Sequence, residues 1–80
     1  MATYFFDLTS DDAESVDEEG IELPDAEVAH ETALNALMRV AHDAILEGSM
    51  SQRFEVSVRD ESGAVLEIAA EFHSRIFRKQ

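Results

Sequence analysis

One amphipathic stretch constrains the fold of this chain more than any other feature. It runs from Asp25 to Glu47 and reads DAEVAHETALNALMRVAHDAILE. At about 100° per residue, its apolar and polar side chains separate onto two opposite arcs. The apolar arc comprises Ala26, Ala29, Ala33, Leu34, Ala36, Leu37, Val40, Ala41, Ala44 and Ile45, and the polar arc comprises Glu31, Asn35, Arg39, His42 and Asp43. The stretch therefore predicts one long helix that buries one face.

Pro24 and Gly48 mark the limits of this helix. Pro24 disfavours a helical conformation at the residue before it, and Asp25 can accept a hydrogen bond from a free backbone N–H of the first turn. Gly48 suits the left-handed position that follows many helices. We therefore expect the helix to begin just after Asp25 and to end before Gly48.

Alternating apolar residues on both sides of the helix predict strands. Residues 3–9 read TYFFDLT, residues 53–59 read RFEVSVR, residues 64–70 read AVLEIAA, and 21–23 form a short extended piece before the helix. The predicted fold class is α+β: a two-layer sandwich in which a small antiparallel-rich sheet packs on one long helix. The sheet has three main strands plus the short piece, in the order β-(short β)-α-β-β. The pattern leaves the arrangement of the strands in the sheet open.

Length and composition indicate one small domain. Eighty residues are near the lower limit at which a single core stabilises a fold. We assign 1–72 to a single α+β domain and 73–80 to a short basic C-terminal tail. The absence of cysteine excludes disulfides and thiolate metal sites. Since neither a signal-peptide pattern nor a membrane-length apolar run occurs, the expected location is the cytoplasm.

The distribution of charge restricts the class of partner. The net charge is −12, and residues 1–38 contain eleven acids and no Lys or Arg. Nucleic acids and anionic membranes bind clustered cations, so we expect neither as a partner. A basic protein is compatible with this surface.

Residues 10–20, SDDAESVDEEG, form a dense acidic segment. Like charges at this density favour a solvated loop, for which Val16 is the expected apolar contact. The alternative function is binding of a divalent cation or small ligand, because carboxylates are the ligands that calcium and magnesium prefer. The candidate ligands are Asp11, Asp12, Glu14, Asp17, Glu18 and Glu19. No register of the segment matches an EF-hand loop.

The sequence contains no recognisable catalytic constellation. His30-Glu31 begins like a zinc-protease helix, but Leu34 stands where the second histidine of that motif is required. His30 and His42 are separated by about 18 Å along the helix, so they cannot share a metal. No nucleophile motif and no phosphate-binding glycine loop occurs. We therefore expect a protein that is not an enzyme and needs no cofactor.

Apolar residues outside the predicted core favour an interaction module. One helix covers one face of a sheet, which leaves Phe5, Val65 and Ala69 on the other face, and Phe72, Ile76 and Phe77 add apolar area near the C-terminus. A contiguous apolar patch on the surface marks an interface. The predicted partner is a second copy of the chain, in a homodimer, or another protein. The alternative is that the C-terminal tail folds back and covers Phe5 within the monomer.

Three short sequence runs resemble a known family. They are Tyr4-Phe5-Phe6, Asp17-Glu18-Glu19-Gly20 and Glu22-Leu23-Pro24-Asp25, and an Ala-rich helix and a C-terminal hairpin follow them. Together they resemble a family of small proteobacterial proteins that share a domain of unknown function. The resemblance implies a bacterial, single-domain, cytoplasmic protein. It implies no activity, cofactor or catalytic residue.

Overall fold

The elements follow one another as three strands, a helix and two strands. A computed structural model describes residues 1–78, so Lys79 and Gln80 of the expected basic tail lie outside the described residues. The elements are β1 (Ala2–Ser10), β2 (Glu14–Ser15), β3 (Ile21–Leu23), α1 (Ala26–Leu46), β4 (Ser51–Asp60) and β5 (Gly63–His73). The α+β class is confirmed. Strand β2, two residues within the acidic segment, was not predicted.

Helix α1 has the limits that the sequence predicts. The side chain of Asp25 accepts a hydrogen bond from the backbone N–H of Val28 at 3.0 Å, which caps the first turn. At the other end Gly48 has φ +99°, and Ser49 N–H donates to the carbonyl of Ala44 at 3.0 Å. This left-handed glycine satisfies the last carbonyls and directs the chain into β4.

The five strands form an open antiparallel sheet. Its path is β2-β1-β4-β5, and β3 also pairs with β1. Strands β2 and β3 lie on the same edge of β1: β3 pairs with Ala2–Tyr4, and β2 pairs with Leu8 and Thr9. Strand β5 pairs only with β4 among the described elements, so its second edge has no neighbour in the monomer.

The core lies between α1 and one face of the sheet. The helix contacts β4 and β5 to a similar extent and touches β3 near its start. The buried side chains of the core are Tyr4, Ala29, Ala33, Leu37, Phe54, Val56 and Val58. Ala29 and Ala33 have no exposed surface, because small side chains let the helix approach the sheet closely.

The apolar arc of the helix is wider than the surface that the sheet covers. Leu34 and Ile45 were expected in the core, but 39% and 53% of their surfaces are exposed. Met38, which belonged to neither predicted arc, is 61% exposed. The arc prediction was therefore wrong at its margin, because a narrow sheet buries only the side chains that point directly at it.

A bulge divides β5 into two parts. The pairing of β4 with β5 shifts register between Val58 and Arg59. Val65 lies at this irregularity and packs against the core, so its predicted outward orientation was wrong. Beyond the bulge, Leu66–His73 pairs regularly with β4.

Candidate functional site

The acidic segment folds onto the outer face of β1 through Asp17. One carboxylate oxygen, Oδ2, accepts the backbone N–H of Phe6 at 3.0 Å. The other, Oδ1, accepts the N–H groups of Glu19 and Gly20 at 3.0 and 3.1 Å. Asp17 therefore fills the gap between β2 and β3, where Phe6 has no strand partner on that edge.

Arg59 joins β4 to β1 and to the acidic segment. Its Nε donates to Asp7 Oδ2 at 3.0 Å, and its Nη2 donates to the carbonyl oxygen of Asp17 at 2.8 Å. The backbone N–H of Asp17 donates to Asp7 Oδ1 at 2.9 Å. The guanidinium carbon also lies 4.5 Å from the centre of the Phe5 ring. We name Phe5, Asp7, Asp17, Gly20 and Arg59 the Arg59 anchor.

Gly20 lies close to the Phe5 ring. Its φ is +74°, and a Cβ placed there would lie 2.7 Å from Thr3 Cγ2 and 2.9 Å from Phe5 Cε1. Phe5 is therefore half-buried beneath Gly20 and Arg59. The expected contact at Val16 was wrong, because 57% of that side chain is exposed and Asp17 holds the segment instead.

Hydrogen bonds lower the pKa of both aspartates in the Arg59 anchor. For Asp7, the side chain of Arg59 lowers the pKa most, followed by the backbone N–H of Asp17. For Asp17, the backbone N–H groups of Gly20 and Phe6 lower the pKa, while partial desolvation acts in the opposite direction. Both carboxylates are therefore ionised in the folded protein at neutral pH and serve to hold the acidic segment.

The candidate cation ligands do not converge. Asp11, Asp12, Glu14, Glu18 and Glu19 are exposed along the segment, and Asp17 alone is half-buried. Within residues 1–78, no group of three carboxylate or imidazole side chains has the arrangement of a metal site. The oxygens of Asp17 already accept three backbone N–H groups.

The three histidines lie apart from one another and from the anchor. His30 and His42 are exposed on α1, and His73 is exposed at the end of β5, where its Nδ1 lies 3.3 Å from Ser51 Oγ. Within residues 1–78 these positions offer no shared ligand sphere for a metal.

A row of apolar side chains runs along one flank of α1. Leu34, Met38 and Ile45 lie within about 40° of one another around the helix axis, and all three are exposed. The row is rotated by about 120° from the centre of the buried face. The sequence predicted two of these residues as core, and their spacing of four and seven is the signal that groups them.

The chirality of the strands and of the helix places the row of Leu34, Met38 and Ile45 on the side of β5. The side chain of Phe6 packs against the core, on the helix side of the sheet. The backbone N–H of Phe6 points away from β4 and donates to Asp17. For L-residues this fixes the order β1, β4, β5 from left to right when the sheet is viewed from the helix with β4 running upward. Helix α1 then runs downward, from the end of β3 to the start of β4. A right-handed helix in this direction turns Leu34, Met38 and Ile45 toward β5.

Strand β5 presents an unpaired edge beside this row. Just past the strand, Ser74 donates its N–H to the carbonyl of Met50, on the side of β4. The direction of the backbone N–H and C=O groups alternates along a strand. In the regular part of β5, these groups point toward β4 at even-numbered residues and away from β4 at odd-numbered residues. The outward N–H and C=O groups are those of Glu67, Ala69, Glu71 and His73. We name this edge, together with Leu34, Met38 and Ile45, the α1–β5 surface.

The six predicted interaction residues fall in different places. Phe5 belongs to the Arg59 anchor, whereas Phe72 is half-buried against the core on the helix side of β5. Ala69 is exposed on the opposite face of β5. Ile76 and Phe77 are exposed after β5 and line a shallow groove with Met50. The described part of the tail therefore does not cover Phe5.

These features define a small α+β domain whose acidic segment is folded onto the outer face of its sheet. No helix among residues 1–78 is long and apolar enough to cross a membrane. Residues 3–73 match the family model described as "Domain of unknown function (DUF6894)", so the chain belongs to this family. Comparison with curated proteins gave no significant match. Comparison with solved structures also gave none.

Proposed function

We propose that this chain is a non-enzymatic protein-interaction module that associates with a second copy of itself through the α1–β5 surface. The observation that carries the proposal is the position of exposed Leu34, Met38 and Ile45 directly beside the unpaired edge of β5. Apolar side chains in a row beside an open edge form the kind of contiguous patch that marks an interface.

The burial of β5 supports the same proposal. Its core-facing side chains Leu66, Ile68 and Ala70 are only half-buried, although their partners on β4, Val58, Val56 and Phe54, are buried. The difference arises because β4 has a strand on each side and β5 has a strand on one side only. A partner along β5 would remove this apolar area from water, at a gain of about 25 cal/mol per Å² before the costs of association.

Cation binding has less support as a function. It would require the acids of the 10–20 segment to converge, whereas five of the six candidate ligands are exposed along it. Asp17 would have to exchange its backbone N–H partners for the ion. The anchor therefore supports a structural role for these carboxylates, namely holding the segment on the sheet.

The test is the solution mass of three proteins by light scattering over a hundredfold range of concentration. They are the wild type, Met38→Lys and Asn35→Lys. Both variants add the same charge to an exposed position of α1, but Asn35 lies about 60° or more from the apolar row around the axis. We expect the wild type and Asn35→Lys to form dimers and Met38→Lys to dissociate more readily.

Two results would contradict the proposal. A wild-type protein that remains monomeric over the whole range would exclude self-association. Dimers that both variants retain equally would show that α1 does not line the interface. Circular dichroism of each variant checks that a loss of mass does not arise from unfolding.

A further inference from the structure

We infer that β5 pairs antiparallel with β5 of the second copy, with Ala70 on the two-fold axis between them. The inference rests on the proposed self-association and specifies how it occurs. It joins the two sheets into one continuous sheet and brings the two α1 helices side by side above it. The argument uses the hydrogen-bonding groups of the edge, its charges and the position of the helix.

The regular part of β5 limits where the two-fold axis can lie. Leu66–His73 follows the bulge and pairs with β4 without interruption. Its outward N–H and C=O groups belong to the odd-numbered residues. With Ala70 on the axis, Glu67 lies opposite His73 of the second copy and Ala69 lies opposite Glu71 of the second copy. Every outward group of the regular part then has a partner.

The charges of the edge and the length of the regular part favour this register over its neighbours. An axis at Phe72 would set Glu67 opposite Phe77, which lies beyond the end of β5. Like charges directly opposite one another destabilise a strand pair. An axis at Ala69 would set Glu67 against Glu71 twice, and an axis at Glu67 or Glu71 would set that residue against its own copy. An axis at Ile68 avoids these contacts, but it requires Val65 at the bulge to pair with Glu71. The axis at Ala70 avoids these problems.

The position of the helix fits a second copy of this chain rather than a lone extended peptide. Strands in a sheet are about 4.8 Å apart, and α1 lies over β4 and β5 to a similar extent. A helix axis midway between β4 and β5 would be about 5 Å from the two-fold axis, and the two helices would lie about 10 Å apart. Packed helices are separated by 8–10 Å. The rows of Leu34, Met38 and Ile45 would then face each other, whereas a peptide strand would leave them exposed.

The cysteine-free sequence permits a direct test of the register. Single variants Ala70→Cys, Ala69→Cys and Ile68→Cys are prepared in the full chain and mildly oxidised, with Ser62→Cys at an exposed turn as the measure of random collision. Residues on the two-fold axis of a non-hydrogen-bonded pair have Cα atoms about 4.5 Å apart, which a disulfide can bridge. Two Ala69 residues would be about 8 Å apart in this register, which is too far.

We expect Ala70→Cys to shift most of the chain from 8.9 kDa to twice that mass on a non-reducing gel, well above the Ser62→Cys level. We expect neither of the other two variants to exceed that level. Preferential cross-linking through Ala69→Cys or Ile68→Cys would overturn the register. Cross-linking of Ala70→Cys no greater than that of Ser62→Cys, in a protein that light scattering finds dimeric, would overturn pairing along β5 and leave the proposed self-association standing. A monomer at every concentration would overturn both.

Discussion

The guanidinium group of Arg59 stacks on the ring of Phe5, with 4.5 Å between the guanidinium carbon and the ring centre. The two residues are direct partners across β1 and β4, on the face of the sheet that α1 does not cover. The same guanidinium donates to Asp7 and to the carbonyl of Asp17. One side chain therefore attaches the acidic segment and shields an aromatic ring that a single helix cannot reach.

Replacement of Arg59 by lysine should destabilise the fold. Lysine retains the charge but loses the planar group that stacks on Phe5 and donates in two directions. We expect a loss of about 1 kcal/mol in the free energy of unfolding, since the site is partly exposed. The control is Arg53→Lys, because the side chain of Arg53 pairs with Glu55 at an exposed position and its replacement should change stability little. Equal losses in the free energy of unfolding for the two variants, measured by urea denaturation, would contradict a stabilising role of the Arg59 anchor.

Replacement of Gly20 by alanine tests the cover over Phe5. The new Cβ would lie within 3 Å of both Thr3 and Phe5, and the positive φ adds strain. The control is Gly48→Ala, which has a positive φ but open space around it. We expect Gly48→Ala to cost about 1 kcal/mol and Gly20→Ala clearly more. Equal melting temperatures for the two variants would show that the acidic segment can shift to accommodate the new Cβ without loss of stability.

The lowered pKa values of Asp7 and Asp17 predict a loss of stability in acid. A carboxylate whose pKa is lower in the folded state stabilises the fold above its unfolded pKa, near 3.8, and the contribution is lost as the pH falls through the folded pKa. Asp17→Asn should therefore melt lower than the wild type at pH 7, and the difference should shrink below about pH 4. Asp12→Asn, at an exposed position, is the control. A difference that stays constant with pH would contradict ionisation as its source.

Salt should stabilise the protein without selectivity for the cation. Screening weakens the repulsion among the acids of residues 1–38, so the melting temperature should rise from low to moderate ionic strength. Calcium and magnesium at matched ionic strength should raise it about as much as potassium, because the loop acids do not converge on a shared site. A distinctly larger rise with calcium or magnesium would favour the cation-binding alternative.

The sequence predicted the elements that depend on local patterns. The cap at Asp25, the glycine at position 48 and the alternation of β4 and of β5 from Leu66 onward follow from residue type and spacing, and all three are present. The margin of the helix face could not be predicted, because the burial of Leu34 and Ile45 depends on the width of the sheet below. That width is a property of the assembled fold.

The Arg59 anchor could not be predicted for a different reason. Asp7 and Arg59 are 52 positions apart in the chain, and their contact requires the pairing of β1 with β4, which the pattern left open. Asp17 looks like its acidic neighbours in the sequence. Only the gap between β2 and β3 distinguishes it, since Phe6 needs an acceptor there.

The division of one sheet edge into β2 and β3 limits how large an assembly can become. Strands of two and three residues, with a carboxylate between them, offer no continuous template for another chain. Among the strands of residues 1–78, only β5 provides a long open edge, and the proposed pairing through a two-fold axis would consume it in both copies. In the proposed dimer, growth would therefore close at two subunits instead of continuing into a filament. The acidic segment therefore acts as a terminator of the sheet as well as a cover for its outer face.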